Sequence, residues 1–313
     1  MALPFVHDLG DGIHVIDTGF HRDHFDAAYL VVQDGHALFV DCGTNFSVPR
    51  LLAALDDLGL PREAVDHVIP THVHLDHAGG AGALMQQLPR ATLLVHARGA
   101  RHLIDPAALY AGALAVYGQA EMDRAYGQLV GVPAERVQAT TDGQVLDWHG
   151  RRLEFIDTPG HARHHHCLWD EASRGWFTGD TFGLSYRETD TERGAWIMPT
   201  STPVQFEPEA LKRSITRLMA RDPQAMYLTH YSRVQDLPRL SSLLFEQIDA
   251  MVALALPLKD HPQRHAALVA ALEDLYRSQL QRHGVADVEA QLRGLALDIE
   301  LNAQGLAVWL DKA

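Results

Sequence analysis

Apolar and polar residues alternate with a period of two along Gly12 to Thr18, Ala27 to Gln33 and Gly35 to Asp41. That pattern predicts three strands with one face in a core, the last two joined by a tight turn at Asp34-Gly35. The period then changes. Leu51, Leu52, Leu55 and Leu58 form one stripe at helical spacing, with Ser47 able to cap the start and Gly59 to stop the end. Asp66 to Pro70 is a short apolar strand, Gly79 to Gln87 a helix, and Ala91 to His96 another strand. Ile104 to Leu129 is rich in Ala and Tyr at helical spacing, which predicts a helical insertion.

Short apolar runs return at Gln144 to Trp148, Arg152 to Asp157, His166 to Trp169 and Gly175 to Thr178, separated by Gly, Asp and Pro turns. Two strand-rich halves therefore flank the insertion. Gly183 to Pro208 has no clear period, and in a compact domain so long a stretch predicts a binding loop or lid. Helix Pro208 to Ala220 and strand Ala225 to Leu228 close this unit. From about Asp236 the spacing is helical to the end, with Leu240, Leu243, Leu244 and Ile248 on one stripe and Leu268, Leu272 and Leu275 on another. The division expected is a catalytic domain over 1–235 and a helical extension over 236–313, whose apolar stripes could also pair two copies as a homodimer.

Composition narrows the class of function. The chain has 313 residues, and its 26 Lys and Arg against 40 Asp and Glu give a net charge of −14, which repels a phosphate backbone and argues against a nucleic-acid partner. No apolar run approaches the twenty residues of a membrane span, the longest candidate being Met251 to Leu258, and the opening residues lack the pattern of an export signal. A cytoplasmic, membrane-free protein acting on a small molecule is the expectation. Cys42 and Cys167 are too few for a disulfide framework or a thiolate metal site and are expected as buried thiols. Histidine is the anomaly, at 20 residues, so the question becomes where the imidazoles gather.

They gather first in Thr71-His72-Val73-His74-Leu75-Asp76-His77-Ala78-Gly79-Gly80, between a short strand and a helix start. In an extended loop, residues two apart point the same way, so His72 and His74 can grip one cation while the turn into the helix carries Asp76 and His77 to another side. Two cations need more donors than this loop holds, and further candidates end other apolar strands: His161 in Thr158-Pro159-Gly160-His161, Asp180 in Gly179-Asp180, and His230 in Thr229-His230. A sheet packed by hydrophobic burial would bring all of these to one rim. The reading is His72, His74 and His161 on one ion, Asp76, His77 and His230 on the other, and Asp180 bridging. Five imidazoles and two carboxylates suit two Zn²⁺, with Mn²⁺ or Fe²⁺ as alternatives. Alternation along a strand places only some of His164, His165 and His166 near that rim, in a supporting role or at the surface.

On these residues the chain resembles the metallo-β-lactamase superfamily over roughly residues 12 to 235. The resemblance rests on the His-x-His-x-Asp-His loop from His72, the segment ending at His161, the Gly-Asp pair at Asp180, and His230. It implies a four-layer αββα sandwich of the α/β class, here with a C-terminal helical extension. It also assigns Asp41, after an early strand, to hydrogen bonds that support the metal loop.

A hydroxide bridging two cations would be the nucleophile on an ester, lactone or thioester, with Asp76 orienting it or accepting its proton. Tyr186, Trp196 and Tyr231 are the candidate substrate contacts, with Tyr110, Tyr117 and Met198 also weighed. Resemblance leaves two rivals: a mononuclear iron persulfide dioxygenase-like oxidoreductase, which would leave His77 and His230 without metal, and a phosphodiesterase on the same fold.

Overall fold

The computed structural model describes residues 3–201 and 204–312. Seven strands form the first sheet in chain order: β1 (Val6–Asp8), β2 (Ile13–Asp17), β3 (Ala27–Gln33), β4 (His36–Val40), β5 (Val65–Ile69), β6 (Thr92–His96) and β7 (Val137–Thr140). The pairs from β1 to β4 are antiparallel, and those from β4 to β7 are parallel. The hairpin between β3 and β4 turns on Asp34 and Gly35, both at positive φ, as two-residue hairpin turns require. The second sheet runs β13-β12-β11-β10-β9-β8 in space. Its strands are β8 (Val145–Trp148), β9 (Arg151–Asp157), β10 (His166–Asp170), β11 (Gly175–Gly179), β12 (Ala225–Leu228) and β13 (Ser232–Val234).

The period of two sorts side chains between two cores. Ile13 and Val15, Tyr29 and Val31, Leu38 and Val40 point inward and meet Leu153, Phe155, Phe177 and Tyr227 of the second sheet. Ile16, Leu30 and Phe39 point outward under α1 (Val48–Asp57), through Leu51 and Leu55, while α2 (Leu75–Ala78) and α3 (Ala81–Gln87) add Ala78, Leu84 and Met85. Each such Leu, Ile or Phe removed from water contributes about 1.5–3 kcal/mol. The predicted helix Gly79 to Gln87 begins two residues later, as α3, and the short α2 precedes it across Gly79-Gly80. The insertion is a series of short pieces, among them α4 (Ala100–Ile104), α5 (Ala107–Tyr117) and α6 (Gln119–Glu121). Helix α7 (Pro208–Met219) covers the second sheet with Leu211, Ile215 and Leu218, and its Leu218 carbonyl accepts the Trp176 indole N–H at 3.1 Å. Helix, sheet, sheet and helix make the four layers.

The C-terminal region is α8 (Leu237–Ala255), α9 (Arg264–His283), α10 (Val288–Gly294) and α11 (Ala296–Leu310). One expectation changes here: Leu237–Leu258 is long and apolar enough, by length and composition, to cross a membrane. Scattered polar residues hide it from a search for unbroken apolar runs, and Leu240, Leu244, Ile248 and Met251 are buried in the core. The stretch 183–208 is also no free lid in its first part. Trp196, Ile197 and Met198 are buried, Gln247 of α8 donates to the Ile197 carbonyl at 2.6 Å, and the Asn302 side chain of α11 accepts from the Ser201 amide at 2.6 Å. The C-terminal helices strap it down.

Candidate metal centre

Four strand ends build the site. Val65–Ile69 leads into Thr71 to His77, β9 into His161, β11 into Asp180, and β12 into His230. Asp41, after β4, joins the first of these to the last: its carboxylate accepts the Thr71 amide at 2.7 Å, the Thr71 hydroxyl at 3.0 Å, the His77 Nδ1–H at 2.8 Å and the Thr229 hydroxyl at 2.7 Å. That bond fixes the His77 tautomer and leaves Nε2 free to face the site. His74 has extended backbone, φ −63° and ψ 152°, so it points with His72, as the loop spacing predicts.

Three groups of donors result. His72 Nε2 lies 2.9 Å and His161 Nε2 3.1 Å from His74 Nδ1. Asp76 Oδ2 lies 3.6 Å from His77 Nε2 and 3.3 Å from His230 Nε2. Asp180 spans the two, with Oδ1 3.3 Å from His77 Nε2 and Oδ2 3.3 Å from His161 Nε2. Each of His72-His74-His161, His72-His77-Asp180 and Asp76-His77-His230 brings its ligand atoms within 4.8 Å of one another. The structure thus brings all seven sequence-predicted ligands together.

Charge and burial fit divalent cations. Burial and the neighbouring imidazoles hold His72 and His74 well below the ordinary histidine range, and His161 is lowered by burial, so all three are neutral bases of the kind a metal takes. Burial also opposes charge on His230, but a hydrogen bond with Asp76 and the charge of Asp180 outweigh it and push the ring up to about 10. His77 is raised likewise, burial being outweighed by Asp180, Asp76 and Asp41. The carboxylates here favour protonation of both rings, a positive charge that a cation would replace. His77 Nε2 and Asp180 Oδ1 are buried without an ordinary hydrogen-bond partner and face each other at 3.3 Å, an arrangement costing about 1–3 kcal/mol per atom unless a cation takes the place of the His77 proton. The donor set therefore fits the implied metal.

A supporting layer holds the donors. The Asp180 amide donates to His165 Nε2 at 3.2 Å, and His165 Nδ1 donates to the Thr158 hydroxyl at 2.8 Å. Gly179 sits at φ +46°, and a Cβ there would stand 2.5 Å from Thr71 Oγ1 and 2.6 Å from His165 Nε2, so only glycine lets β11 pass this close. His230 Nδ1 donates to the Phe25 carbonyl at 2.9 Å. His166 turns the other way, donating from Nε2 to the Pro70 carbonyl at 2.9 Å. Thr71 and Thr229 are supports that the sequence did not single out, while His165 is one of the three neighbouring histidines for which a supporting role was expected. A separate group, His36, Asp66 and His149, sits at strand starts and a turn on the other rim. There Asp66 is already satisfied by the Trp148 indole at 2.8 Å and both rings at 3.0 Å.

The reaction pocket beside the donors has a volume of about 40 Å³ and is lined by His74, Asp76, Asp180 and His230, by Tyr117 and Tyr126, and by Asp298 from α11. The proposed aromatic contacts lie elsewhere. Tyr186 is buried against Phe25 and donates to Asp298 Oδ1 at 3.1 Å. Trp196 packs on Tyr276, and Tyr231 packs on His24; none of the three lines the pocket. Each is large and apolar enough to be drawn into packing, and the ring beside His230 follows the backbone away from the site. Met198 is likewise buried and Tyr110 lies outside, whereas Tyr117 does reach the pocket. No sequence pattern marked Asp298, which comes from a helix far along the chain.

Comparison with known proteins places the chain in a family and a fold. Residues 21–230 match the profile of the metallo-beta-lactamase superfamily. The chain is 27% identical over 242 residues to a hydroxyacylglutathione hydrolase of Aeromonas hydrophila subsp. hydrophila, covering 72% of this chain and 80% of that protein. It is 30% identical over 190 residues to a thioesterase of Emericella nidulans, covering 57% of this chain and 44% of that one. A crystal structure of an archaeal superfamily protein from Sulfolobus tokodaii superposes with a TM-score of 0.67 at 23% identity, over 95% of this chain and 98% of that one, a likeness of fold.

Proposed function

Because this chain belongs to the metallo-beta-lactamase superfamily, we propose that it is a dinuclear metal-dependent hydrolase of acyl bonds, with a thioester preferred over an ester or lactone. The observation that carries the two-ion reading is Asp180, whose two oxygens face His77 and His161 at 3.3 Å each. His72, His74 and His161 would hold one ion and Asp76, His77 and His230 the other, with Asp180 between them; Zn²⁺ suits this nitrogen and oxygen set. Bound there, such a pair lowers the pKa of a water toward neutrality and polarises a carbonyl oxygen.

The chain's own groups supply orientation and proton handling. Asp76 is held charged below the ordinary carboxylate range, since His77 and His230 outweigh the effect of burial. Asp76 also lines the reaction pocket, where its carboxylate would orient an attacking water or accept its proton. Burial, followed by other nearby groups, raises the Tyr117 and Tyr126 hydroxyls above their usual range, so neither is an acid matched to pH 7. Asp298, pushed up by burial, loses its proton at about 6. A leaving group weakly basic enough to depart without a proton donor fits such a pocket better than an alkoxide, and a thiolate, whose thiol has a pKa of about 8.5, is the ready example. The hydrolase and thioesterase relatives point the same way.

Metal quantitation on freshly purified protein, joined to a screen of thioesters, lactones, aryl esters and phosphodiesters, tests this. The expected result is two divalent ions per chain and thioester turnover supported by Zn²⁺. A single iron with oxygen-dependent consumption of a persulfide would replace it with the oxidoreductase reading, and turnover of phosphodiesters alone would remove the acyl preference.

A further inference from the structure

A second cavity, of about 240 Å³, adjoins the reaction pocket, and His74 and Tyr117 line both. One wall is Val73 and Leu75 of the metal loop; the facing wall is α5. That helix reads Ala-Ala-Leu-Tyr-Ala-Gly-Ala-Leu-Ala-Val-Tyr, with no charged residue and none buried. Leu109, Tyr110, Ala113, Leu114 and Tyr117 pack half-buried against the core, whereas Ala108, Gly112 and Val116 are exposed, and an exposed apolar face of that kind marks a surface for something apolar to cover. Ala108, Leu109, Gly112, Ala113 and Val116 recur at helical spacing along the cavity; among the described residues its polar lining is His74, His102, Tyr117, His164 and Gln205, with no Asp, Glu, Lys or Arg. Gly112 stands in mid-helix, where an added Cβ would meet nothing within 4 Å. The helix there leaves open space.

We propose that this cavity is a subsite for an apolar chain of the substrate, which leaves the reaction pocket past His74 and Tyr117 and runs between α5 and the metal loop. Its volume sets the length: at about 30 Å³ per methylene, taken as the room of one water, it holds roughly eight. The shared wall with the reaction pocket is what commits the groove to substrate over a second copy of the chain or a lipid surface. The chemical class rests on the hydrolase reading above; the apolar subsite is tested apart from it.

Gly112→Phe fills the cavity from a position without neighbours, and any ordinary side chain is a better helix former than glycine, so the variant keeps its fold. Calorimetric titration with acetate, butyrate, hexanoate, octanoate and decanoate reads the subsite without turnover. Affinity is expected to rise about fourfold per methylene in the wild type until the cavity is full, with a negative heat-capacity change, and to be flat with length in Gly112→Phe. The kinetic arm varies the acyl chain on a fixed thiol and then the alkyl thiol on a fixed acetyl group, which shows which side of the scissile bond the groove takes; the slope of kcat/KM in one series should vanish in Gly112→Phe while acetyl turnover persists. Length-independent binding, or an equal slope in the variant, overturns the subsite even where short thioesters are cleaved. A slope in binding with no thioester, ester or lactone cleaved leaves the subsite standing and removes the hydrolase reading. A flat slope with a concentration-dependent dimer that Gly112→Phe breaks assigns the face to a second copy.

Discussion

Four donor groups converge on the Asp41 carboxylate, from Thr71, His77 and Thr229, so its removal leaves several buried groups unsatisfied and one metal-facing ring unsteered. Asp41→Ala is expected to weaken metal binding about 10–100-fold, read by competition with a chromophoric chelator, and a variant that binds as tightly as wild type would deny it this role. Asp298 gives a prediction with a pH sign. Its folded-state pKa, raised by burial to about 6, lies above that of an unfolded aspartate, so the stability linked to its proton is complete below about pH 4 and is lost as pH rises through 6. In metal-free protein Asp298→Asn, which can still accept from Tyr186, should gain about 2–3 kcal/mol at pH 8 and almost nothing at pH 4, by denaturant titration. The convergence of these donors was legible in sequence because a cation cage would need particular atoms at strand ends. Tyr186, Trp196 and Tyr231 were not, because a ring's sequence neighbours do not reveal whether it faces solvent, a core or a substrate.

Among the elements, the second sheet is pinned by a buried ion pair. Arg151 at the start of β9 forks onto Asp170 at the end of β10, Nε to Oδ1 at 2.8 Å and Nη2 to Oδ2 at 2.6 Å. Asp170→Ala strands that guanidinium and is expected to cost about 3–5 kcal/mol, measurable by equilibrium unfolding; a loss under 1 kcal/mol would show that water reaches Arg151. Elements with a strong period were legible: the strands over 27–33 and 36–40 and the helix from 208 lie where alternation and the apolar stripe put them. Edge strands β1 and β13 have three residues each, too few for a period to show, and β7 leaves Gln138 and Ala139 both exposed, so no alternation marks it. Stretch 183–201 has no period because its order comes from outside, through Gln247 and Asn302.

Across the whole molecule, the donors are delivered by both sheets, so a cation that binds only the folded chain stabilises all of it at once. Stripping metal with a chelator should lower the unfolding temperature cooperatively, and restoring Zn²⁺ at a thousand times its dissociation constant should return about 4 kcal/mol; calorimetry that shows one sheet melting apart from the other would contradict this coupling. The amide of Ala27, opening β3, donates to the carbonyl of Thr229 at 2.8 Å, and His230 follows at once. As the ribosome makes this protein, the loop at 72–77 emerges long before 230, so an early-arriving ion meets an unfinished cage and must wait, or dissociate, until the late strand is threaded beside the first hairpin.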